Sequence, residues 1–175
     1  WTDGYGRVSY TTNSIISPVV KIALKEFAGD MKAVTGFEAK EKNGAPIQIY
    51  QLDQLTNKEF SAVEKLGAPL HLIITGKDAF YIGTRKKKVI VIGSNARGTA
   101  YAIMKLSELA GVSPLMAWND LQPAQRKSLY TPVDQQWIEI PRIEFRGLAL
   151  NNSQWMKPQN YSRIARLMLR LRANT

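Results

Sequence analysis

His71 is the only histidine of the chain, and there is no cysteine. Disulfides, thiol catalysis and thiolate metal sites are therefore excluded, and without a second histidine no metal centre and no cofactor is expected. The alternation of His71 with Leu70, Leu72, Ile73 and Ile74 reads instead as a position on a strand. A second stretch with the look of chemistry is Gly93-Ser-Asn-Ala-Arg-Gly98, where glycines follow an apolar run and precede a helical pattern. Its spacing fits neither the P-loop nor the dinucleotide fingerprint, and a capped turn accounts for it. No nucleophile elbow is present. The basic run Arg85-Lys-Lys-Lys88 reads as a solvated turn between two strands.

The elements around these residues follow from pattern. Val89 to Ile92 is an apolar β-branched run bounded by Lys88 and Gly93, the signature of a strand buried on both faces. Ser94 or Asn95 caps the next helix, whose buried stripe is Ala100, Ile103, Met104, Ser107 and Ala110. Gly111 ends that helix in a left-handed turn, and Pro114 keeps it from resuming. Upstream, Ser17-Pro18 opens a helix carrying Val20, Leu24, Phe27, Met31 and Val34 on one face. Ile47, Ile49 and Leu52 mark a strand, and Thr56-Asn-Lys-Glu59 is a capping box before a short helix. Leu70 to Thr75, Ala79 to Gly83 and Val89 to Ile92 then read as three short antiparallel strands. Residues 1 to 13 are expected to be frayed or a short edge strand, and Pro123 to Leu129 a short helical turn.

A boundary is expected near Pro141. Beyond it, Ile143 to Leu150 reads as an apolar strand, Asn151 to Gln159 as a polar loop holding Trp155, and Tyr161 to Leu171 as a helix. Ile164, Leu167, Met168 and Leu171 share one face of that helix, and Arg163, Arg166 and Arg170 share another, read as solvent-exposed. One parallel βα unit has no partner strand of its own. The abrupt end after Arg172-Ala-Asn-Thr is read as a cut within a second domain.

The net charge of +10 raises the question of nucleic acid. Residues 141–175 contribute a net +6 and Arg85 to Lys88 the remaining +4, so the other residues are neutral and present no basic face to follow phosphates. No nucleic-acid partner is expected. With 45% hydrophobic residues over 175 positions the chain buries one substantial core, and no run reaches the length of a membrane span.

Two blocks of residues carry a resemblance. Val89 to Asp120 contains Gly-Ser-Asn-Ala-Arg-Gly-Thr, a Tyr-Ala-Ile-Met-Lys-Leu-Ser-Glu-Leu helix, Gly111-Val-Ser-Pro and Trp118-Asn-Asp120. Arg142-Ile-Glu-Phe-Arg146-Gly-Leu-Ala-Leu-Asn151-Asn-Ser-Gln-Trp155 is followed by the helix that ends Leu-Arg-Leu-Arg-Ala-Asn174. Together they resemble the N-terminal domain of glycoside hydrolase family 115, the xylan α-glucuronidases, and the entry into its catalytic (β/α)8 barrel. Hexosaminidase-type enzymes share a similar accessory domain and barrel entry.

The resemblance implies an α/β (α+β) fold: residues 1–140 as a hexosaminidase-type accessory domain with a mixed sheet, and residues 141–175 as the first βα unit of the barrel. In such barrels the active site lies at the C-terminal ends of the strands. Asn151 and Asn152 would there hydrogen-bond sugar hydroxyls, and Trp155 would stack on a sugar ring. The family has acidic residues where this chain has Asn152, Ser153 and Gln154. Glycoside hydrolysis uses two carboxylates about 5–10 Å apart, and this loop supplies neither. Asp120 and Glu144 are the nearest acids, and Glu144 reads as a structural ion-pair partner. Any catalytic pair is expected beyond Thr175, no catalytic residue is assigned here, and the chain alone is expected to be inactive. Trp118 is expected to pack between domains. The implied partners are a polysaccharide or oligosaccharide and the rest of the barrel. An uncovered barrel helix is expected to favour a dimer, and the implied location is periplasmic or secreted. A non-enzymatic glycan-binding or scaffolding domain, or an accessory domain of a hexosaminidase-like hydrolase, is the alternative.

Overall fold

The computed structural model describes residues 1–3, 5–85, 87–119, 121–133, 135–149 and 157–175. In chain order the elements are β1 (Ser9–Thr12), α1 (Pro18–Thr35), β2 (Lys40–Glu41), β3 (Ile47–Gln51), α2 (Asn57–Glu64), α3 (Leu70–Ile73), β4 (Phe80–Arg85), β5 (Lys88–Gly93), α4 (Ala96–Leu109), α5 (Met116–Asn119), β6 (Gln136–Glu139) and α6 (Pro158–Arg170). They form a mixed six-stranded sheet in the order β2-β1-β3-β5-β4-β6. The first four of these strands are parallel, whereas β4 is antiparallel to both β5 and β6. The α/β class expected from the sequence is the one observed.

β5 lies inside the sheet and divides its side chains between two cores. Val89 and Val91 join Phe27, Met31, Ile47, Ile49, Phe80, Ile82 and Ile103 beneath α1 and α4. Ile90 and Ile92 face the other way, toward Leu52, Val63, Ile73 and Tyr81 under α2 and α3. An unbroken apolar run is what such two-sided burial requires. α4 is buried on most of its circumference, from Gly98 to Met104 and again at Leu106 and Ser107, as expected of a helix held between the sheet, α1 and α6.

The local signals explain the helix ends. Asn95 Oδ1 accepts from the Gly98 amide and caps α4, while Ser94 Oγ accepts from the Ala79 amide. Gly111 has φ 97°, and Gly36, which ends α1, has φ 84°. Ser17 precedes α1 without capping it; its hydroxyl accepts from Gln51 Nε2 at 2.7 Å and its amide donates to Gln51 Oε1 at 2.9 Å.

Thr56 and Glu59 form the expected capping box, and Glu59 Oε1 also accepts from the Ser14 amide at 2.8 Å. Hydrogen bonds from the amides of Ser14 and Thr56 hold the Glu59 carboxyl down from its ordinary 4.5 to about 2. A carboxylate with a lowered native pKa stabilises the fold above its unfolded value and loses that contribution as pH falls through the native one. Glu59→Gln is therefore expected to lower Tm relative to the wild type above pH 4.5, with the gap closing toward pH 2. Parallel melting curves across that range test this; a gap that stays constant with pH contradicts it.

Five expectations are corrected. Leu70–Ile73 is a single helical turn, not a strand, with His71 exposed; only Ile73 of that turn is buried, against Tyr81 and Ile90, and a strand would have needed a neighbour in a sheet whose edge β6 already occupies. Residues 123–129 are not helical. The Arg126 amide donates to Val34 O at the end of α1, and the Leu129 amide donates to Thr2 Oγ1, so the segment is an extended strap whose backbone partners lie elsewhere. β1 sits between β2 and β3 rather than at the very edge. Residues 143–149 form no strand of this sheet, and Ile143, Phe145 and Leu148 are exposed; the backbone of Arg146 and Leu148 bonds instead to Asn174 and Thr175 at the C-terminus. Of the Arg face of α6, finally, Arg163 and Arg166 are exposed as expected, but Arg170 is buried.

Candidate functional site

The stretch Gly93 to Thr99 does structural work. A Cβ on Gly93 would lie 2.1 Å from the Thr99 amide nitrogen, and one on Gly98 would lie 2.4 Å from Ala79 O. Both glycines are there because backbone passes too close for any side chain. Gly98→Ala is expected to cost about 2 kcal/mol or more through forced displacement of the Gly76–Ala79 turn, read as a shift in urea midpoint. An unchanged midpoint contradicts that close packing.

That turn carries Asp78, which is 1% exposed and adopts a left-handed φ of 59°. Four side chains converge on its carboxylate. Asn95 Nδ2 and Arg97 Nε donate to Oδ1 at 3.1 and 2.9 Å, and Arg146 Nη2 and Asn174 Nδ2 donate to Oδ2 at 3.3 and 3.2 Å. Burial alone would raise the Asp78 pKa, but the bonds from Arg97, Asn95 and Asn174 outweigh it and hold the carboxyl below its ordinary value. Two of the donors belong to the α4 N-terminus and two to residues beyond Pro141. Asp78 therefore ties the C-terminal segment to the sheet domain.

The same segment is fixed at further points. α6 ends in a left-handed Arg172 (φ 58°), with Ala173 N bonded to Met168 O and Arg172 N to Leu169 O, a Schellman arrangement. Arg172 pairs with Glu108 at 3.1 Å and Glu139 at 3.0 Å, and Tyr101 donates its hydroxyl to Ala173 O at 2.8 Å. Glu144 pairs with Lys77 at 2.6 Å in solvent, a structural contact. On the other flank, Arg170 is buried and donates to both oxygens of Asp30, at 2.8 and 2.9 Å, and to Glu26 at 3.2 Å. Arg166 also reaches Glu26, at 3.4 Å, and Arg163 stacks over the Trp118 ring at 4.8 Å while donating to Ala117 O. Arg170 is thus buried in the contact of α6 with α1, while Arg163 and Arg166 stay exposed at its rim and reach Trp118 and Glu26 from there. The sequence hid this because an arginine row on a helix looks the same whether it faces water or acids from a distant element.

Sequence reasoning missed Asp78, Asp30 and Glu26. Asp30 had a readable signal: it lies three residues after Phe27 and four before Val34, on the apolar side of α1. Asp78 had none beyond belonging to a turn.

Asn151, Asn152 and Trp155, the candidate sugar-binding residues, lie outside the described residues, as does Asp120. The described chain stops at Ala149 before this loop and resumes at Lys157 after it. Just before it, Thr175 N donates to Arg146 O and Leu148 N donates to Thr175 O. That is the hydrogen-bond pattern of a parallel pair with Gly147 opposite Thr175. A cavity of about 480 Å³ lined by Asp78, Tyr101, Glu139, Arg146 and Arg172 opens beside this pair. Its charged groups are committed to one another, and among the described residues no group of three or more acids and histidines could hold a metal ion. No described helix is long and apolar enough to cross a membrane.

No family model matches the sequence, and no curated protein matches it either. Solved structures do. A family GH115 4-O-methyl-alpha-glucuronidase with specificity for decorated arabinogalactans matches 98% of this chain with a TM-score of 0.81 and 26% identity, over 25% of its own length. The Flavobacterium johnsoniae chitobiase matches 99% of this chain at TM-score 0.60 and 16% identity, over 23% of its length. A Streptomyces plicatus β-hexosaminidase matches 80% at TM-score 0.50 and 11% identity. The last two show the fold alone. The chain spans about a quarter of the length of these structures. A mixed six-stranded sheet with a C-terminal helix pinned to it is therefore similar in fold, over nearly all its length, to a fragment of a family GH115 glucuronidase.

Proposed function

We propose that this chain is the non-catalytic N-terminal part of a family 115-like glycoside hydrolase, comprising an accessory domain over residues 1–140 and the opening βα unit of a catalytic (β/α)8 barrel over residues 141–175. The observation that carries the reading is the match to the 4-O-methyl-alpha-glucuronidase along 98% of the chain. The parallel hydrogen-bond pattern between Gly147 and Thr175 supports it, since a strand, a helix and a second strand parallel to the first is the repeating unit of such a barrel. The exposed Ile143, Phe145 and Leu148 support it too, as apolar surface that further barrel strands and helices would cover.

In this reading the accessory domain is a cradle. Asp78 holds Arg146 and Asn174, one on each of the two paired barrel segments, and Asp30 holds helix α6. The loop Asn151 to Trp155 follows the first barrel strand, on the rim where barrel active sites are built. Asn151 and Asn152 donate and accept hydrogen bonds at sugar hydroxyls, Trp155 stacks on a ring, and the two catalytic carboxylates come from later strands. The parent acts outside the cytoplasm, in the periplasm or as a secreted protein, on a uronic-acid-decorated plant polysaccharide such as glucuronoxylan.

Trp155→Ala in the full-length parent is expected to raise KM for the polysaccharide about tenfold through lost ring stacking, with a smaller change on an aryl glycoside. An equal change in KM on both substrates contradicts the stacking role. A second reading rests on Asn152, Ser153 and Gln154, which carry no charge: a glycan-binding protein that retains polysaccharide without hydrolysing it.

A further inference from the structure

A groove of about 360 Å³ runs between α1, α5 and α6, within the range of about 300–1,000 Å³ typical of small-molecule sites. Trp118 lines it and is 43% exposed, and Arg163, held by Ala117 O, lies over its ring. Among the described lining residues four cations, Lys25, Arg163, Arg166 and Arg170, face two carboxylates, Glu26 and Asp30. Asp30 is fully engaged by Arg170, and Glu26 is shared by Arg170 and Arg166. The groove therefore keeps a positive balance beside an aromatic platform, in contrast with the cavity at Asp78, whose charges neutralise one another.

We propose that this groove is a secondary, non-catalytic binding site for an acidic saccharide, its carboxylate held by Lys25 and Arg163 and its ring beside the part of Trp118 that Arg163 leaves exposed. An aromatic face accepts the C–H side of a sugar, and a guanidinium fixes a carboxylate with directional, charge-assisted bonds. Arg163 is already placed by its stacking on Trp118, so little ordering remains for binding to impose. The saccharide class rests on the carbohydrate reading above; the site itself uses none of the residues assigned to the barrel rim.

Affinity electrophoresis of this chain through gels containing glucuronoxylan, and through gels containing the same xylan with its carboxyls reduced, tests the site. Retardation by the acidic polymer is expected, weakened about tenfold by carboxyl reduction, by Trp118→Ala and by Arg163→Gln, since a charged hydrogen bond or a ring contact is each worth about that factor. Trp118→Phe should retain most of the binding. Lys25→Gln, at an exposed position, gives a second reading should Trp118→Ala fail to fold by circular dichroism. Unretarded wild type, equal binding of the reduced polymer, or unchanged binding by the variants overturns the proposal. So does equal competition by polyglutamate, which would make the groove a site for acidic peptide. Hydrolysis by the full-length parent is a separate readout, so failure here and failure of the hydrolase reading are distinguishable.

Discussion

Asp30→Ala is expected to destabilise the chain by about 3–5 kcal/mol, the usual cost of leaving one member of a buried ion pair without its partner. Arg170 is 9% exposed and Asp30 2%, so the orphaned guanidinium would have no ready access to water. Burial by itself would weaken the Arg170 cation, yet its bonds to Asp30 and Glu26 outweigh that and hold its pKa above the ordinary value. Removing Asp30 takes away the largest of those bonds, but a guanidinium does not deprotonate in proteins, so the cation stays and the penalty is not relieved. At about 2–4 °C per kcal/mol for a domain of this size, Tm should fall by roughly 10 °C. The double variant Asp30→Leu with Arg170→Met should recover most of the loss, because well-packed apolar residues replace a buried pair at little net cost. A loss below about 1 kcal/mol for Asp30→Ala would mean that Arg170 reaches solvent and that α6 is not anchored on α1.

Asp78→Asn carries the second large effect. Asparagine tolerates the left-handed backbone at this position, so the substitution removes charge without adding strain. It leaves Arg97 and Arg146 facing a neutral amide, and a loss of about 3 kcal/mol is expected. Because the Asp78 carboxyl lies below its ordinary value in the fold, its contribution is present at neutral pH and disappears as pH falls below the unfolded value of about 4. Wild type and variant should therefore converge in acid. The loss should also be regional: residues 143–157 should become sensitive to protease before the sheet melts, since Arg146 and Asn174 are the bonds released. Uniform destabilisation with no early cleavage would contradict the role of Asp78 as a tie.

The pieces that were legible in the sequence are those decided locally. β5 was fixed by four β-branched residues, α4 by its cap and its stripe, and α2 by Thr56 and Glu59; each depends on neighbours within a few residues. The errors lie where distant partners decide. Leu70–Ile73 is apolar enough for a strand, but β6 already holds that edge of the sheet, so the segment closes into a turn of helix. Residues 123–129 give their amides to α1 and to Thr2, which no local pattern announces. Arg163, Arg166 and Arg170 found Trp118, Glu26 and Asp30, more than forty residues away in the nearest case. Of the candidate site, the sequence named the loop residues Asn151, Asn152 and Trp155, while the side chains that fasten that loop's flanks, above all Asp78, emerge only from the three-dimensional arrangement.

The proposed function places this chain in an enzyme that cleaves glycosidic bonds, with the catalytic carboxylates carried by the rest of that enzyme. Release of uronic acid from glucuronoxylan by the full-length parent, with this 175-residue chain assayed beside it, tests it most directly. Release by the parent and none by the chain alone is expected. A parent that is inert on glucuronoxylan and on a panel of aryl glycosides, yet is retained by the polysaccharide, would contradict it and make the uncharged loop after Asn151 the mark of a binding protein.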